Sequence, residues 1–414
     1  MSSVQYDLVV WGATGFAGRL VAEHLIDNYD PDDLALAIGG RDEGKLQDLR
    51  DELLDRNDVW EELPVVIGDA HDRASLGGLA SKTRVVCTTV GPYTDYGTQL
   101  VDACVEANTD YCDLSGEINW IREVIDQYHE AAADRDVRLV NSCGFDSVPT
   151  DLGVLLAQEH AVEQYGTPCD RFRCYLEGGH GGVSGGTLAS FARVFEAAAN
   201  DPAARRALVN PYSLAPPGER EGPDPGEQRR PRKDPDSGEW TAPSPMAAVN
   251  ERVLRRSNAL LDYPWGRDFR CTGVIPTGAG PVGALRAAGI TAGLGLFAAG
   301  MSLGPVRSGL RRWVFPAPGE GPSRDRIESG SFAFRFVGTG TDEDGSAFRV
   351  ESRVAAQRDP GYGATAWMLG EAAMCLVDED VETPLSGGVL TPASGIGRPL
   401  IERLRDVGMT FRVE

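Results

Sequence analysis

The sequence predicts an α/β protein: an N-terminal doubly wound parallel sheet followed by a second, α+β domain. Three features carry that expectation. An apolar run, Leu8 to Trp11, ends in the spacing Gly12-x-x-Gly15-x-x-Gly18 and passes at once into a helical pattern at Leu20, Val21, His24, Leu25 and Ile26. Strand-like and helix-like stretches then alternate to residue 157. Beyond it the texture changes to longer alternating strands and apolar helices.

The first element is the most informative. Strand, glycine turn and helix together place a pyrophosphate on a helix N-terminus. Gly12 permits the tight turn, Gly15 lets backbone approach the phosphates, and Gly18 lets helix and strand pack closely. Ala13, Thr14 and Phe16 complete the turn. A second apolar run, Leu34 to Ile38, ends in Gly39-Gly40-Arg41. An NAD site carries a carboxylate at this strand end for the ribose 2′-hydroxyl. Arg41 stands there instead, with Lys45 four residues on, and a guanidinium suits a 2′-phosphate. NADP(H) is therefore the expected cofactor; the competing reading has Arg41 paired with Asp42 or Glu43.

Later elements follow in order. An acidic helix runs to Leu54. Pro64 to Ala70 is the third strand, with Asp69 at its end, near the expected adenine. Val85 to Pro92 is the fourth, delivering Thr89, Gly91, Pro92 and Tyr93 to the carboxyl edge where cofactors lie. Gly97 to Ala107 is a helix, Tyr111 to Ser115 a strand, Ile118 to Asp134 an amphipathic helix and Val137 to Cys143 a strand. Arg171 to Glu177 is a strand, Gly178 to Thr187 a glycine-rich loop and Leu188 to Asn200 a helix. Residues 216–245, dense in Pro, Gly and charge, are expected as a mobile surface loop. Phe332 to Val337 and Ala347 to Ala355 form two antiparallel strands, followed by helices at Gly363 to Val377 and Ile396 to Val407. The expected divisions are 1–157, 158–385 and a C-terminal segment, 386–414.

Residues 287–306 have no charged side chain. Arg286 precedes the stretch, and Arg307, Arg311 and Arg312 follow. A buried helix or lining of an apolar substrate channel, contact with a membrane surface, and a transmembrane span are the three readings. A span is disfavoured because Gly and Ala gain little in hydrocarbon.

Composition excludes some functions. A net charge of −22 argues against nucleic acid as partner, and equally against a general binder of anionic membranes. Lysine occurs only at Lys45, Lys82 and Lys233, so positive charge is nearly all arginine. Abundant acid with little lysine is the pattern of a protein built for high salt. The eight cysteines show no C-x-x-C pairing and read as reduced and buried. The N-terminus enters the first strand without a basic or apolar leader, so a cytoplasmic location is expected, with membrane association left open. The five histidines share no ligand spacing, and no metal is expected. A homodimer is left open.

Taken with Gly12–Arg19, Gly39-Gly-Arg41 and Thr88-Thr-Val-Gly-Pro-Tyr93, three further segments complete a pattern: Asp113-Leu-Ser-Gly-Glu117, Gly144-Phe-Asp-Ser-Val-Pro-Thr-Asp151 and Ser184-Gly-Gly-Thr187. With Gly387 to Ser394, the chain resembles the saccharopine dehydrogenase-like oxidoreductases, and most closely their trans-acting enoyl reductase branch. The resemblance is dense in the N-terminal half and loose over 200–330. It implies an NADP-binding Rossmann domain with an inserted α+β domain, and a final segment that packs back on the first. It also implies, for some relatives, reduction of an enoyl bond in a lipid or polyketide product. No basic cluster for an amino-acid substrate is found outside Arg229–Lys233.

The candidate site residues carry paired readings. Tyr93 is a proton donor after hydride delivery, or pocket wall. Asp113, Ser115 and Glu117 bind the substrate or the nicotinamide ribose, or cap the next helix, with Ser115 at the cap. Cys143 is a nucleophile, or a buried thiol. Asp146 ends the sixth strand as a site carboxylate. His180 is a loop general acid, or a surface histidine. Ser184 and Thr187 bond a substrate carbonyl, or cap a helix. The expected activity is NADPH-dependent reduction of an activated C=C or C=O in a hydrophobic or lipid-linked substrate. The alternatives are an amine or imine dehydrogenase and a non-catalytic NADP(H)-binding protein that docks to lipid or a partner.

Salt adaptation is directly testable. The thermal midpoint is expected to fall when salt drops from about 1 M to about 0.1 M, as the screening length grows from about 3 to about 10 Å. An unchanged midpoint contradicts it.

Overall fold

The structure, a computed structural model, describes residues 4–180, 185–306, 309 and 321–414. Six strands open the chain: β1 (Tyr6–Trp11), β2 (Leu36–Gly40), β3 (Val65–Ile67), β4 (Thr83–Thr88), β5 (Asp110–Asp113) and β6 (Arg138–Val140). Then come β7 (Arg171–His180), β8 (Arg232–Lys233), β9 (Trp240–Pro243), β10 (Arg270–Gly278), β11 (Ser331–Thr341) and β12 (Ala347–Ala356). The C-terminal stretch supplies β13 (Gly388–Leu390) and β14 (Thr410–Val413).

The first sheet has the order β13-β6-β5-β4-β1-β2-β3, and every pairing in it is parallel. Its direction of winding reverses between β1 and β4, the switch point where such sheets bind ligands. Buried side chains cover both faces, as a parallel sheet requires. One face packs Val21, Leu25, Leu46 and Leu369, and the other packs Leu76, Val101, Ile121 and Val124. Each fully buried aliphatic side chain contributes about 1.5–3 kcal/mol.

The second sheet has the order β14-β12-β11-β7-β10-β9-β8 and is antiparallel except at β7–β10. The C-terminal segment therefore serves both sheets. Val389 pairs with Leu139 in the first, and Phe411 with Val354 in the second. The helix Val148–Tyr165 joins the two cores. A Cβ at Gly153 would lie 2.5 Å from the Phe336 ring, so only glycine seats this helix so closely. The expected boundary at 157/158 falls inside this helix.

Three expectations need correction. First, β7 runs through the glycines to His180, which pairs with Ser331, and the next helix starts at Gly185. Of the stretch expected as a glycine-rich loop, 178–180 are strand and 185–187 helix, and 181–184 lie outside the described residues. Second, residues 216–245 contain β8 and β9, and bury Asp224, Gln228, Asp234 and Thr241. The reason lies in the helix Ala247–Leu260, which buries Arg252, Arg255 and Arg256. Buried guanidiniums need acceptors, and this segment supplies them. Asp224 accepts from Arg255 Nε at 3.2 Å and Nη2 at 2.7 Å, and Glu227 pairs with Arg252. Third, the apolar stretch forms the helix Gly280–Ser302, whose buried residues are only Gly283, Ala287 and Met301, so it is not a core helix.

Asp224→Ala is expected to cost about 3 kcal/mol, because it leaves Arg255 buried with one acceptor fewer. The exposed Glu221→Ala in the same segment is expected to be silent. Urea unfolding of the two variants distinguishes this from a mobile loop, in which both would be silent.

Candidate cofactor and active site

The glycine turn is sterically obligatory. Gly12 has φ +88°, and a Cβ there would lie 2.6 Å from Val90 Cγ2. A Cβ on Gly18 would lie 2.2 Å from the Gly12 carbonyl oxygen, and one on Gly15 3.1 Å from it. β4 closes on the same turn: Thr89 N donates to Trp11 O at 3.0 Å, and Thr89 Oγ1 to Gly12 O at 3.3 Å. The helix Phe16–Asn28 begins at Gly15 with no side-chain cap. Its first amides are thus left for an anion. Ala13 is buried and Thr14 exposed. Phe16 turns aside, edge-on to Tyr362 with ring centroids 5.0 Å apart. It is a wall of the turn rather than a group aimed at phosphate.

At the end of β2, Asp42 caps the helix Glu43–Arg56 by accepting from Lys45 N at 3.1 Å, and its carboxylate also lies 3.7 Å from Lys45 Nζ. Arg41 is exposed and forms no ion pair among the described residues. The reading in which Asp42 neutralises Arg41 is not found; Asp42 is engaged by Lys45. Asp69 is exposed beyond β3, where its carboxylate accepts from His71 N at 2.9 Å.

Beyond β4 the chain passes a cis Gly91–Pro92 bond into the short helix Tyr93–Tyr96. One carboxylate holds this turn. Glu117, 1% exposed, accepts from Tyr93 N at 2.8 Å, Thr94 N at 3.0 Å, the Thr94 hydroxyl and the Ser190 hydroxyl at 2.9 Å. Ser190 belongs to the helix Gly185–Asn200, which is tied again by Arg193 Nε to Asp95 at 3.0 Å. With its acceptor sites filled by protein donors, Glu117 positions the loop and does not bind substrate. Ser115 is likewise structural: its hydroxyl accepts from Glu117 N at 3.2 Å, and its carbonyl accepts from Ser142 Oγ at 2.7 Å.

Tyr93 is not placed to donate a proton. Its phenol donates to Thr88 O at 3.1 Å and accepts from Leu114 N at 3.3 Å, and its ring lies 5.2 Å from Trp120. Burial, with Asp113 nearby, pushes its pKa well up. Asp113 braces β5 to β6. It accepts from Ser115 N, Ser142 N, Tyr111 OH and Asn141 Nδ2, and burial pushes its carboxyl up to about 6. Cys143 is fully buried and its thiol pushed well up, which removes it as a nucleophile.

Asp146 differs. It sits in the segment after β6, with Oδ2 2.9 Å from where a Gly116 Cβ would stand. Its carboxyl has no hydrogen-bond partner among the described residues, and burial alone pushes it up to about 6. His180 is placed by its backbone at the end of β7; its side chain, that of Thr187 and the whole of Ser184 lie outside the described residues.

The chain has relatives along its whole length. A Mycobacterium tuberculosis relative is 40% identical over 419 residues, covering 99% of this chain and 97% of its own. A trans-acting enoyl reductase of Mycobacterium bovis is 38% identical over 422 residues, covering 98% and 97%. The chain belongs to the trans-acting enoyl reductase family. A trans-acting enoyl reductase of Mycobacterium ulcerans is 37% identical over 426 residues, with 99% and 98% covered. No family model matches. Among solved structures, saccharopine dehydrogenase (L-Glu forming) from Saccharomyces cerevisiae shares the fold: TM-score 0.54, 13% identity, 99% of this chain and 100% of that one. As an oxidoreductase of this family, the chain keeps the glycine turn and the switch-point geometry that a dinucleotide requires.

Glu117→Gln is expected to lower stability by about 2 kcal/mol, since the amide presents a donor to backbone N–H groups. Thermal melting reads it. A substrate-contact role would instead raise KM and leave the melting temperature in place.

Proposed function

We propose that this protein is an NADPH-dependent reductase of a polarised C=C bond in a hydrophobic acyl substrate. The observation that supports it most is the glycine turn at the β1–β4 switch point, where a Cβ at Gly12 or Gly18 would strike protein at 2.6 or 2.2 Å. When bound, the reduced nicotinamide supplies a hydride to the β-carbon of the double bond. The chain's own residues do the rest. The uncapped amides after Gly15 take the pyrophosphate. Arg41, exposed and free of an ion pair among the described residues, takes the 2′-phosphate, with Lys45 four residues away. Asp69 borders the adenine. Thr89, Gly91 and Pro92, clamped from behind by Glu117, form the edge on which the nicotinamide rests. Asp146 is the proton donor to the α-carbon: a half-buried carboxylic acid with no hydrogen-bond partner among the described residues, its pKa pushed up to about 6 by desolvation. The acyl chain lies on the side of the second sheet, near the helix Gly185–Asn200.

Two experiments test this. Arg41→Ala is expected to weaken NADPH binding by about 10-fold or more, the value of a charge-assisted contact, and to leave NADH binding unchanged; equal weakening of both would remove the 2′-phosphate assignment. The pH profile reads Asp146. Its folded pKa lies above the ordinary carboxyl value, so the acid form is full below about 6 and turnover falls as pH rises through it. In Asp146→Asn that limb should disappear along with most of kcat. Retention of the limb in the variant assigns it to another group.

A further inference from the structure

The helix Gly280–Ser302 is the one helix among the described residues long and apolar enough to cross a membrane, yet only 11% of its most apolar window is buried. Gly283, Ala287 and Met301 seat it on the protein, next to β9 and β10. At 100° per residue, the exposed positions from Pro281 to Ser302 sweep an arc of about 220°. Val282, Leu285, Leu296 and Phe297 lie on that arc, exposed at 61%, 75%, 76% and 42%. Among the helix's exposed positions only Arg286 and Ser302 are polar.

Charge says what covers this surface. Between Asp268 and Glu320 the chain has no acidic residue and five arginines: Arg270, Arg286, Arg307, Arg311 and Arg312. In a protein of net charge −22 this is a local reversal of sign, centred on the apolar helix. A second copy of the chain would bring like charge against like charge, and a single partner helix would cover only one stripe of so wide an arc. An anionic phospholipid surface meets both features: acyl chains take the arc, and phosphates meet Arg286 on the helix in a stretch of sequence that has no acidic residue. A true span is excluded, because the inner face is packed on a sheet whose strands would follow it into hydrocarbon.

We propose that the helix Gly280–Ser302 docks this protein on the surface of an anionic phospholipid membrane, lying in the plane with its outer arc about 5–10 Å deep at the headgroup boundary. This helix also lies against the helix Gly185–Asn200, whose Ser190 bonds Glu117 at the proposed catalytic edge. The docked bilayer therefore lies one helix away from the proposed active site. The docking itself does not depend on the cofactor assignment.

Flotation with phosphatidylglycerol-containing vesicles tests this. The full-length protein is expected to float with the vesicles. The triple variant Leu285→Ser, Leu296→Ser, Phe297→Ser should remain at the bottom, with partition reduced at least about 100-fold, and its circular dichroism and melting temperature unchanged. Arg286→Glu alone should reduce flotation on these vesicles but not on phosphatidylcholine. Failure of the wild type to float, or equal flotation of the triple variant, overturns the proposal. So does sedimentation showing, without lipid, a wild-type dimer that the triple variant splits, for then a second copy covers the helix.

Discussion

The close approach of Gly18 to the Gly12 carbonyl is the contact on which the rest of the site depends. Without a Cβ at either position, the first helix lies against the end of β1 and the end of β4 crosses directly behind the turn. Thr89 then reaches both Trp11 and Gly12 by hydrogen bonds. A side chain at Gly18 would push the helix off the strand and separate the two halves of the sheet at its switch point. The helix amides, the Arg41 strand end and the Gly91–Pro92 edge converge only because this spacing is kept.

Behind that turn, stability is built on buried charge with matched partners. Glu117 holds four donors from two helices. Asp113 does the same between β5 and β6, and Asp224 does so for Arg255. Each is costly to remove because its donors would be left unpaired away from water. The proposed catalytic edge is therefore rigid through groups that take no part in the chemistry, and Asp146 stands out by being half-buried and without a hydrogen-bond partner among the described residues. In this account, rigidity and reactivity are divided between neighbouring carboxylates according to whether each is paired.

Much of the first sheet is legible in the sequence, because β1, its glycines and the repeated strand–helix spacing are local signals. The place of Arg41, exposed just past the end of β2, is legible too. The roles of Glu117 and Tyr93 are not. Both lie at the right strand ends, but their partners are Ser190, 73 residues away, and Thr88 and Leu114 on two different strand ends. Residues 216–245 mislead for a related reason. Their charge reads as solvation until the buried arginines of the helix Ala247–Leu260 are placed against it. The apolar helix could not be assigned by hydropathy, since a core helix and a surface helix share one composition; only the packing of Gly283, Ala287 and Met301 shows which face is covered.

The most direct test of this account is isotope transfer. NADPH deuterated at the transferable position of C4 would be incubated with the protein and a long-chain 2-enoyl thioester, and the product examined by mass spectrometry. One deuterium at the β-carbon, with a solvent proton at the α-carbon, is the predicted result. Tight NADPH binding with no deuterium in the product would contradict the account and leave a nucleotide-binding protein that does not reduce this substrate class.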